Sequence, residues 1–226
     1  MTEDTVLLES FGTVAKRYGY RKTEAEYTAH KDFKIAWSRT YDTIKFMVSD
    51  YVMDAPKEVL VSLADTVCSK ITNSAPVPYT KEMMDWVTSD DFVRNKQPIY
   101  LRRSRNITKD PAGSCRDLND SLRRLKDMGL VKEDDNPFLT WTKNELLTHV
   151  GYYSSLMNVI AISCALDSED VPDDVVDYVV YNEYLQMKEG LILFGKESYF
   201  NKAEVEQKYP GKEEAAQWVY RMGLDF

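Results

Sequence analysis

The sequence predicts an α+β fold in which a β-hairpin or small sheet packs on helices. Apolar residues alternate with polar ones over 33–37 and again over 44–48, on either side of the turn-forming sequence SRTYDT. This alternation is typical of the two strands of a hairpin. Over 59–71 and 176–187 apolar residues instead recur every three or four positions, which indicates amphipathic helices.

Local signals predict the remaining elements. Residues 1–30 are expected to form a helical lead-in, and helices are expected on both sides of a basic, turn-rich stretch at 100–113, with Gly129 as a C-cap. Partial alternation of β-branched residues over 151–166 predicts one strand. Acidic residues and Pro172 then begin a helix, and two short helices close the chain. No internal repeat is evident.

Composition limits the class of protein. The chain has 226 residues, of which 43% are hydrophobic and 29% charged, as in ordinary globular proteins. No apolar run approaches the roughly 20 residues of a membrane span, and the acidic N-terminus lacks the layout of a signal peptide. We therefore expect a cytoplasmic protein with no membrane partner. Three scattered cysteines and two histidines argue against a disulfide framework or a histidine-rich metal site.

The helix over 175–187 places polar groups where it meets the core. Glu183 falls on the stripe of apolar residues that includes Val180 and Met187. A carboxylate on an apolar face is costly unless something pairs with it. Asn182 and Gln186 are four positions apart and share a face, so these three polar residues are predicted to form one site.

This helix carries a resemblance to a known family. The sequence PDDVVDYVVYNEYLQM, residues 172–187, resembles the active-site helix of zincin-type metallopeptidases, most closely the SprT-like and YgjP-like (WLM-type) group. In that group the helix typically reads P-x-x-V-x-D-Y-V-V-x-H-E-L-x-H-L. The frame is retained here, and Asn182 and Gln186 occupy the two histidine positions.

The resemblance extends to other segments. GYYSSLMNVIAISCALD, residues 151–167, is similar to the edge strand that precedes the active helix, and 30–73 is similar to the family's N-terminal hairpin and helix. The resemblance implies one zincin-like domain, a minimal metallopeptidase-like fold, over 1–226. Residues 74–149 are then a mostly helical, basic insertion.

The resemblance also implies that metal chemistry is lost. In H-E-x-x-H two imidazoles bind Zn²⁺ and the glutamate acts as a general base on the metal-bound water. Asn and Gln amides are weak zinc ligands, the third-ligand position falls near 196–198, and 150–226 contains no histidine. We therefore expect a pseudoenzyme without metal or other cofactor, in which Asn182, Glu183 and Gln186 are a degenerate motif.

Three functions remain open. The first is a binding module for a peptide or protein partner, which adds as a strand at the retained edge near 155–163. Five tyrosines are candidates to line its groove: Tyr152, Tyr153, Tyr178, Tyr181 and Tyr184. The second is a hydrolase of altered, metal-independent chemistry, in which Glu183 acts as the base. A strongly raised pKa of Glu183 in a concave site would favour it.

The third function is association with nucleic acid. Residues 100–132 contain nine basic and four acidic residues in a chain of net charge −8. An aromatic ring could stack on a base while arginines hold phosphates. The candidate contacts are Tyr100, Arg102, Arg103, Arg105, Arg123 and Arg124. The competing interpretation is a solvated face whose arginines pair with acidic residues of the fold.

Overall fold

The computed structural model describes residues 3–192 and 201–226. These residues form eight α-helices and two small mixed sheets, so the α+β class is confirmed. The chain divides into two compact units, Met1–Phe92 and Val93–Phe226. Among the described residues no helix has the length and apolar character to cross a bilayer. The single domain over 1–226, with its insertion at 74–149, stays a prediction.

The first unit is a three-stranded sheet with helices. Its elements are α1 (Glu3–Arg17), β1 (Lys22–Thr28), β2 (Ile35–Arg39), β3 (Thr43–Ser49), a 3-10 turn (Asp50–Val52), α2 (Lys57–Ile71) and α3 (Lys81–Val87). β3 lies in the centre, parallel to β1 and antiparallel to β2. Alternate residues of β3 are fully buried, and Phe46 packs edge-on against Phe11 of α1 with ring centroids 4.9 Å apart.

Sequence patterns found most of this unit. The hairpin at 33–48 is confirmed, and so is the helix that follows Pro56. The helical lead-in over 1–30 is only half right, because β1 follows α1. Alternate residues of β1 are exposed and the rest only half-buried, so its sequence KTEAEYT has no strongly apolar face to mark it as a strand.

The second unit contains the predicted site. Its elements are most of α4 (Asp90–Arg103), then α5 (Leu118–Asp127), β4 (Phe138–Trp141), β5 (Gly151–Ser154), β6 (Val159–Ile162), a 3-10 turn (Cys164–Leu166), α6 (Asp173–Ile192), α7 (Lys202–Glu206) and α8 (Lys212–Arg221). β6 lies in the centre, parallel to β4 and antiparallel to β5. Its residues are all buried and pack against α6.

Two predictions for this unit are wrong. The single strand expected over 151–166 is a hairpin, because the chain reverses at Ser155–Asn158, where Asn158 takes a positive φ of 51°. The edge strand expected near 155–163 is therefore the central strand β6, and β5 is the edge. The basic stretch at 100–113 begins in the last turn of α4, and after Arg103 it has the turn-rich structure that was predicted.

Other predictions of local structure hold. The end of α5 has the predicted glycine: Gly129 has φ +69°, and the N–H of Leu130 donates to the carbonyl of Leu125, which closes the helix. The helix after Pro172 is confirmed as α6. The closing helix α8 is confirmed as well.

The two units repeat one order of elements. Each has a helix, then three strands of which the third is central, then a 3-10 turn and a second helix. A serine lies at the end of each central strand: Ser49 is the last residue of β3, and Ser163 directly follows β6. The helices α2 and α6 begin within related sequences, DAPKEVL at 54–60 and DVPDDVV at 170–176. The sequence analysis missed this repeat because little beyond these short stretches is shared.

An ion pair joins the two helices that cover the second sheet. The guanidinium of Arg124 on α5 donates two hydrogen bonds of 2.7 Å to the carboxylate of Asp177 on α6. Asp177 is only 4% exposed. Bidentate geometry fixes both the spacing and the rotation of the two helices at this point.

Removal of this guanidinium tests the role of the pair. Arg124→Ala leaves the buried Asp177 carboxylate without its partner, so we expect the free energy of unfolding to fall by about 2–3 kcal/mol, less than for a wholly buried pair because Arg124 is partly exposed. Arg123→Ala is the matched control, since Arg123 pairs on the surface with Asp120, and should change it by about 0.5 kcal/mol or less. Urea unfolding measures both, and equal losses would contradict the assignment.

Candidate functional site

The three residues of the degenerate motif lie on one arc of α6. Asn182 is 2% exposed and Glu183 is 3% exposed, whereas Gln186 is half-buried. Helical geometry brings positions 182, 183 and 186 to the same side of the helix. The structure therefore places polar groups on a buried face, as the sequence predicted.

The edge strand passes directly over this arc. A Cβ atom added to Gly151, the first residue of β5, would lie 3.3 Å from Cγ of Glu183 and 2.7 Å from the carbonyl oxygen of Ala161. Only glycine fits without displacing the strand, because the second distance is shorter than real Cβ contacts. Gly151 thus allows the backbone of β5 to approach the Glu183 side chain.

Burial controls the electrostatics of Glu183. Burial raises the pKa of Glu183 to about 7, and the charge of Lys202 opposes the rise. Within 3–192 and 201–226, nothing donates a hydrogen bond to the Glu183 carboxylate. In the same ranges the Asn182 amide nitrogen is buried without a partner. The arc is therefore polar, and the described residues around it leave the Asn182 amide nitrogen without a partner, which is unusual for a buried polar group.

These residues do not make a metal site of known type. No group of three or more His, Cys, Asp or Glu side chains in the described part of the chain is arranged to hold a metal ion. The motif itself supplies one carboxylate and two amides. The third-ligand position predicted near 196–198 lies outside the described residues.

Two of the five candidate tyrosines belong to the core. The hydroxyl of Tyr178 donates to Glu206 at 2.6 Å, and the hydroxyl of Tyr181 donates to the carbonyl of Val205 at 2.9 Å. Both rings pack against Tyr209 and are buried. Through these bonds the two residues hold α7 against α6, and Tyr181 also lines a surface pocket together with Tyr184.

Of the other three tyrosines, Tyr184 lines the same pocket as Tyr181, whereas Tyr152 and Tyr153 lie on β5. Tyr184 is buried, and its hydroxyl donates to Asp135 at 2.6 Å. Tyr152 and Tyr153 are neighbours on β5, so their side chains point to opposite faces of the sheet. Tyr153 lies on the α6 side, near Gly190, and is 37% exposed. Tyr153 is the member of the set best placed to meet a ligand at the edge.

The predicted nucleic-acid contacts do not form a stacking platform. Tyr100 is 2% exposed, so its ring has no free face for a base. Arg124 is engaged by Asp177, and Arg123 pairs with Asp120. Arg102 and Arg105 are exposed and Arg103 is half-buried. The interpretation of a surface whose arginines pair within the fold is favoured.

Comparisons with family models, curated proteins and solved structures find no match. Function is therefore inferred from the residues of α6 and β5 themselves. Sequence analysis named the polar arc on α6. It missed Gly151 and Lys202, for which the signals were a glycine opening a strand and a lysine after an N-cap asparagine.

The raised pKa of Glu183 predicts a pH dependence of stability. The unfolded chain releases this proton near pH 4.5, whereas the folded chain retains it to about pH 7. The folded state is thus progressively disfavoured as pH rises between these values, and this loss is constant above them. Glu183→Gln removes the effect.

We expect Glu183→Gln to become more stable relative to the unchanged protein as pH rises. The difference in their free energies of unfolding should grow by about 3 kcal/mol between pH 4 and pH 8. Urea unfolding at both pH values measures the difference. Glu189→Gln is the control, because Glu189 is an exposed carboxylate on the same helix. A gain that is the same at both pH values would show that Glu183 is not held protonated.

Proposed function

We propose that the protein is a zincin-like scaffold without metal chemistry that binds an extended peptide or protein segment at the outer edge of β5. The observation that supports this most directly is that no described residue bonds to the outward main-chain groups of β5, beside the buried arc of Asn182, Glu183 and Gln186. Strand addition uses the main-chain groups of such an edge for affinity and nearby side chains for specificity.

The backbone of β5 has N–H and C=O groups that point away from β6. The N–H of Ser163 donates to the carbonyl of Val150, so Val150 directs its carbonyl toward β6. Alternate residues of an antiparallel strand direct their groups to opposite sides, so Gly151 and Tyr153 direct theirs outward. In the described part of the chain no group bonds to these outward N–H and C=O groups. An incoming strand has up to four main-chain bonds available.

The resemblance to zincins supports the same surface. Proteins of that type hold peptide substrates in extended form along an edge strand beside the active helix. Here the edge strand is β5, and the helix beside it carries the retained glutamate of the motif. Loss of the two histidines removes the metal ligands but leaves the strand edge. A protein that has lost catalysis can therefore still bind a peptide at this edge.

The raised pKa of Glu183 favours the alternative of metal-independent hydrolysis. A general base must reach the proton that it abstracts, at hydrogen-bond distance or through one water. Glu183 is 3% exposed, and its shift comes from burial. Among the described residues, no nucleophile is hydrogen-bonded to it. A binding site is therefore the better supported function.

Binding at β5 is tested with an extended, uncharged peptide. We expect an eight-residue peptide of alternating Val and Thr to shift the amide resonances of Gly151 and Tyr153 in a titration to about 1 mM, since a few main-chain bonds give weak affinity. Tyr153→Pro should abolish the shifts, because it removes an outward N–H and leaves the bonds to β6 intact.

Tyr153→Ala is the matched control, because it removes the ring and keeps the N–H. It should weaken the binding and not abolish it. If no peptide shifts these resonances, or if Tyr153→Pro binds as well as the unchanged protein, β5 is not the binding edge.

The zincin ancestry is tested by restoring ligands. Asn182→His with Gln186→His places two imidazoles one helical turn apart, and we expect this variant to gain modest binding of Co²⁺, because catalytic zinc sites use three protein ligands. Cobalt absorption measures the gain against the unchanged chain.

The control carries the same number of histidines at a different spacing, Asn182→His with Glu189→His. Circular dichroism first shows that each variant is folded. A folded double variant that binds cobalt no better than this control would show that 175–187 is only an amphipathic helix.

A further inference from the structure

The strand β2 of the first unit has the same place in its sheet as β5 has in the second. Each is the second strand of its unit, lies at an edge and pairs antiparallel with the central strand. Matching the serines that close the two central strands makes Trp37 the counterpart of Tyr153, because their partners Phe46 and Ile160 both lie three residues before the serine.

An exposed aromatic ring recurs at this matched position. Trp37 is 44% exposed, and Tyr153 is 37% exposed. A single exposed aromatic residue needs no explanation. An exposed apolar ring on an edge strand increases the risk of pairing with other chains. Because both units have such a ring at the same position of the sheet, we infer that the ring has a function.

The outer edge of β2 is open and longer than that of β5. The N–H of Ser49 donates to the carbonyl of Lys34, which fixes the residues that face β3. The intervening residues therefore direct their N–H and C=O groups outward. Within the described ranges none of these outward groups has a hydrogen-bond partner. They belong to Ile35, Trp37 and Arg39.

The charge at this edge is positive. Lys34 and Arg39 are exposed, and the sequence from Phe33 to Thr40 contains no acidic residue. The guanidinium carbon of Arg39 lies 5.7 Å from the centroid of the Trp37 ring, and its Nη1 donates to the hydroxyl of Tyr20 at 3.1 Å. The cation is thus held over the aromatic ring beside the open backbone.

The corresponding position in the second unit has acidic residues as neighbours. Burial and the charges of Glu183 and Glu189 raise the pKa of Tyr153, so both carboxylates act on this ring. The two edges therefore share backbone geometry and an aromatic ring, and differ in the charge beside the ring. They are suited to different segments.

We propose that the outer edge of β2 binds an extended protein segment with Asp or Glu at alternate positions. Main-chain bonds to Ile35, Trp37 and Arg39 supply register. Trp37 and Arg39 lie on one face of the strand, so Arg39 attracts the acidic side chains and the Trp37 ring packs against their methylene groups. Lys34 lies on the other face and adds to the positive charge of the edge. A second copy of β2 is a poor occupant, because pairing β2 with itself brings four cations together. The proposal does not depend on the zincin-like assignment, which concerns the other unit.

The test uses the full chain and three eight-residue peptides, in which Val alternates with Glu, Lys or Thr. We expect the Val-Glu peptide to bind most tightly, to change the tryptophan emission and to weaken with salt. Arg39→Glu should weaken Val-Glu binding about fivefold or more, since it replaces an attraction with a repulsion at an exposed site. Trp37→Pro should abolish it by removing an outward N–H.

Tyr153→Pro is the matched control and should leave Val-Glu binding unchanged, which separates this site from the one at β5. Arg39→Glu alters only an exposed side chain, so the test stands even if Trp37→Pro does not fold. Equal affinity for the Val-Lys peptide, insensitivity to Arg39→Glu or loss through Tyr153→Pro would each overturn the proposal. Self-association that Trp37→Pro abolishes would identify a second copy as the occupant and would also overturn it.

Discussion

The burial of Glu183 beneath β5 is the constraint on which the second unit depends. A carboxylate in this position is costly, and the chain lowers the cost by keeping the proton, as its raised pKa indicates. Glycine is required at 151 because the strand backbone lies against the same side chain. Since an apolar residue at 183 would be simpler to bury, a buried glutamate at this position favours use as a functional site.

The sequence predicted those parts of the fold whose pattern is local and strong. Pro172, the acidic first turn and the apolar stripe of α6 agree with one another, and so do the two alternating runs of the β2–β3 hairpin. The polar arc of α6 was predictable for the same reason. β1 was missed because its sequence carries no strongly apolar alternate face, and the β5–β6 hairpin was missed because its turn, SLMN, contains neither glycine nor proline.

Neighbours of the site could not be predicted, since they depend on contacts distant in sequence. Nothing local to Arg124 shows that Asp177 binds it, and nothing local to Tyr178 and Tyr181 shows that their hydroxyls bond to α7. The basic character of 100–132 was read correctly as composition. Its use in ion pairs within the fold depends on which acidic groups the tertiary structure brings near.

The repeated order of elements bears on the role of the polar residues of α6. At the counterpart of the α6 motif, counted from Pro56 and Pro172, the helix α2 has Thr66 and Val67 in place of Asn182 and Glu183. A unit with this order of elements thus folds without an amide and a carboxylate at these two positions of its second helix. What the two units have in common is the sheet and an open antiparallel edge with an aromatic ring, so the edge, and not the glutamate, is the feature that a shared binding role would preserve.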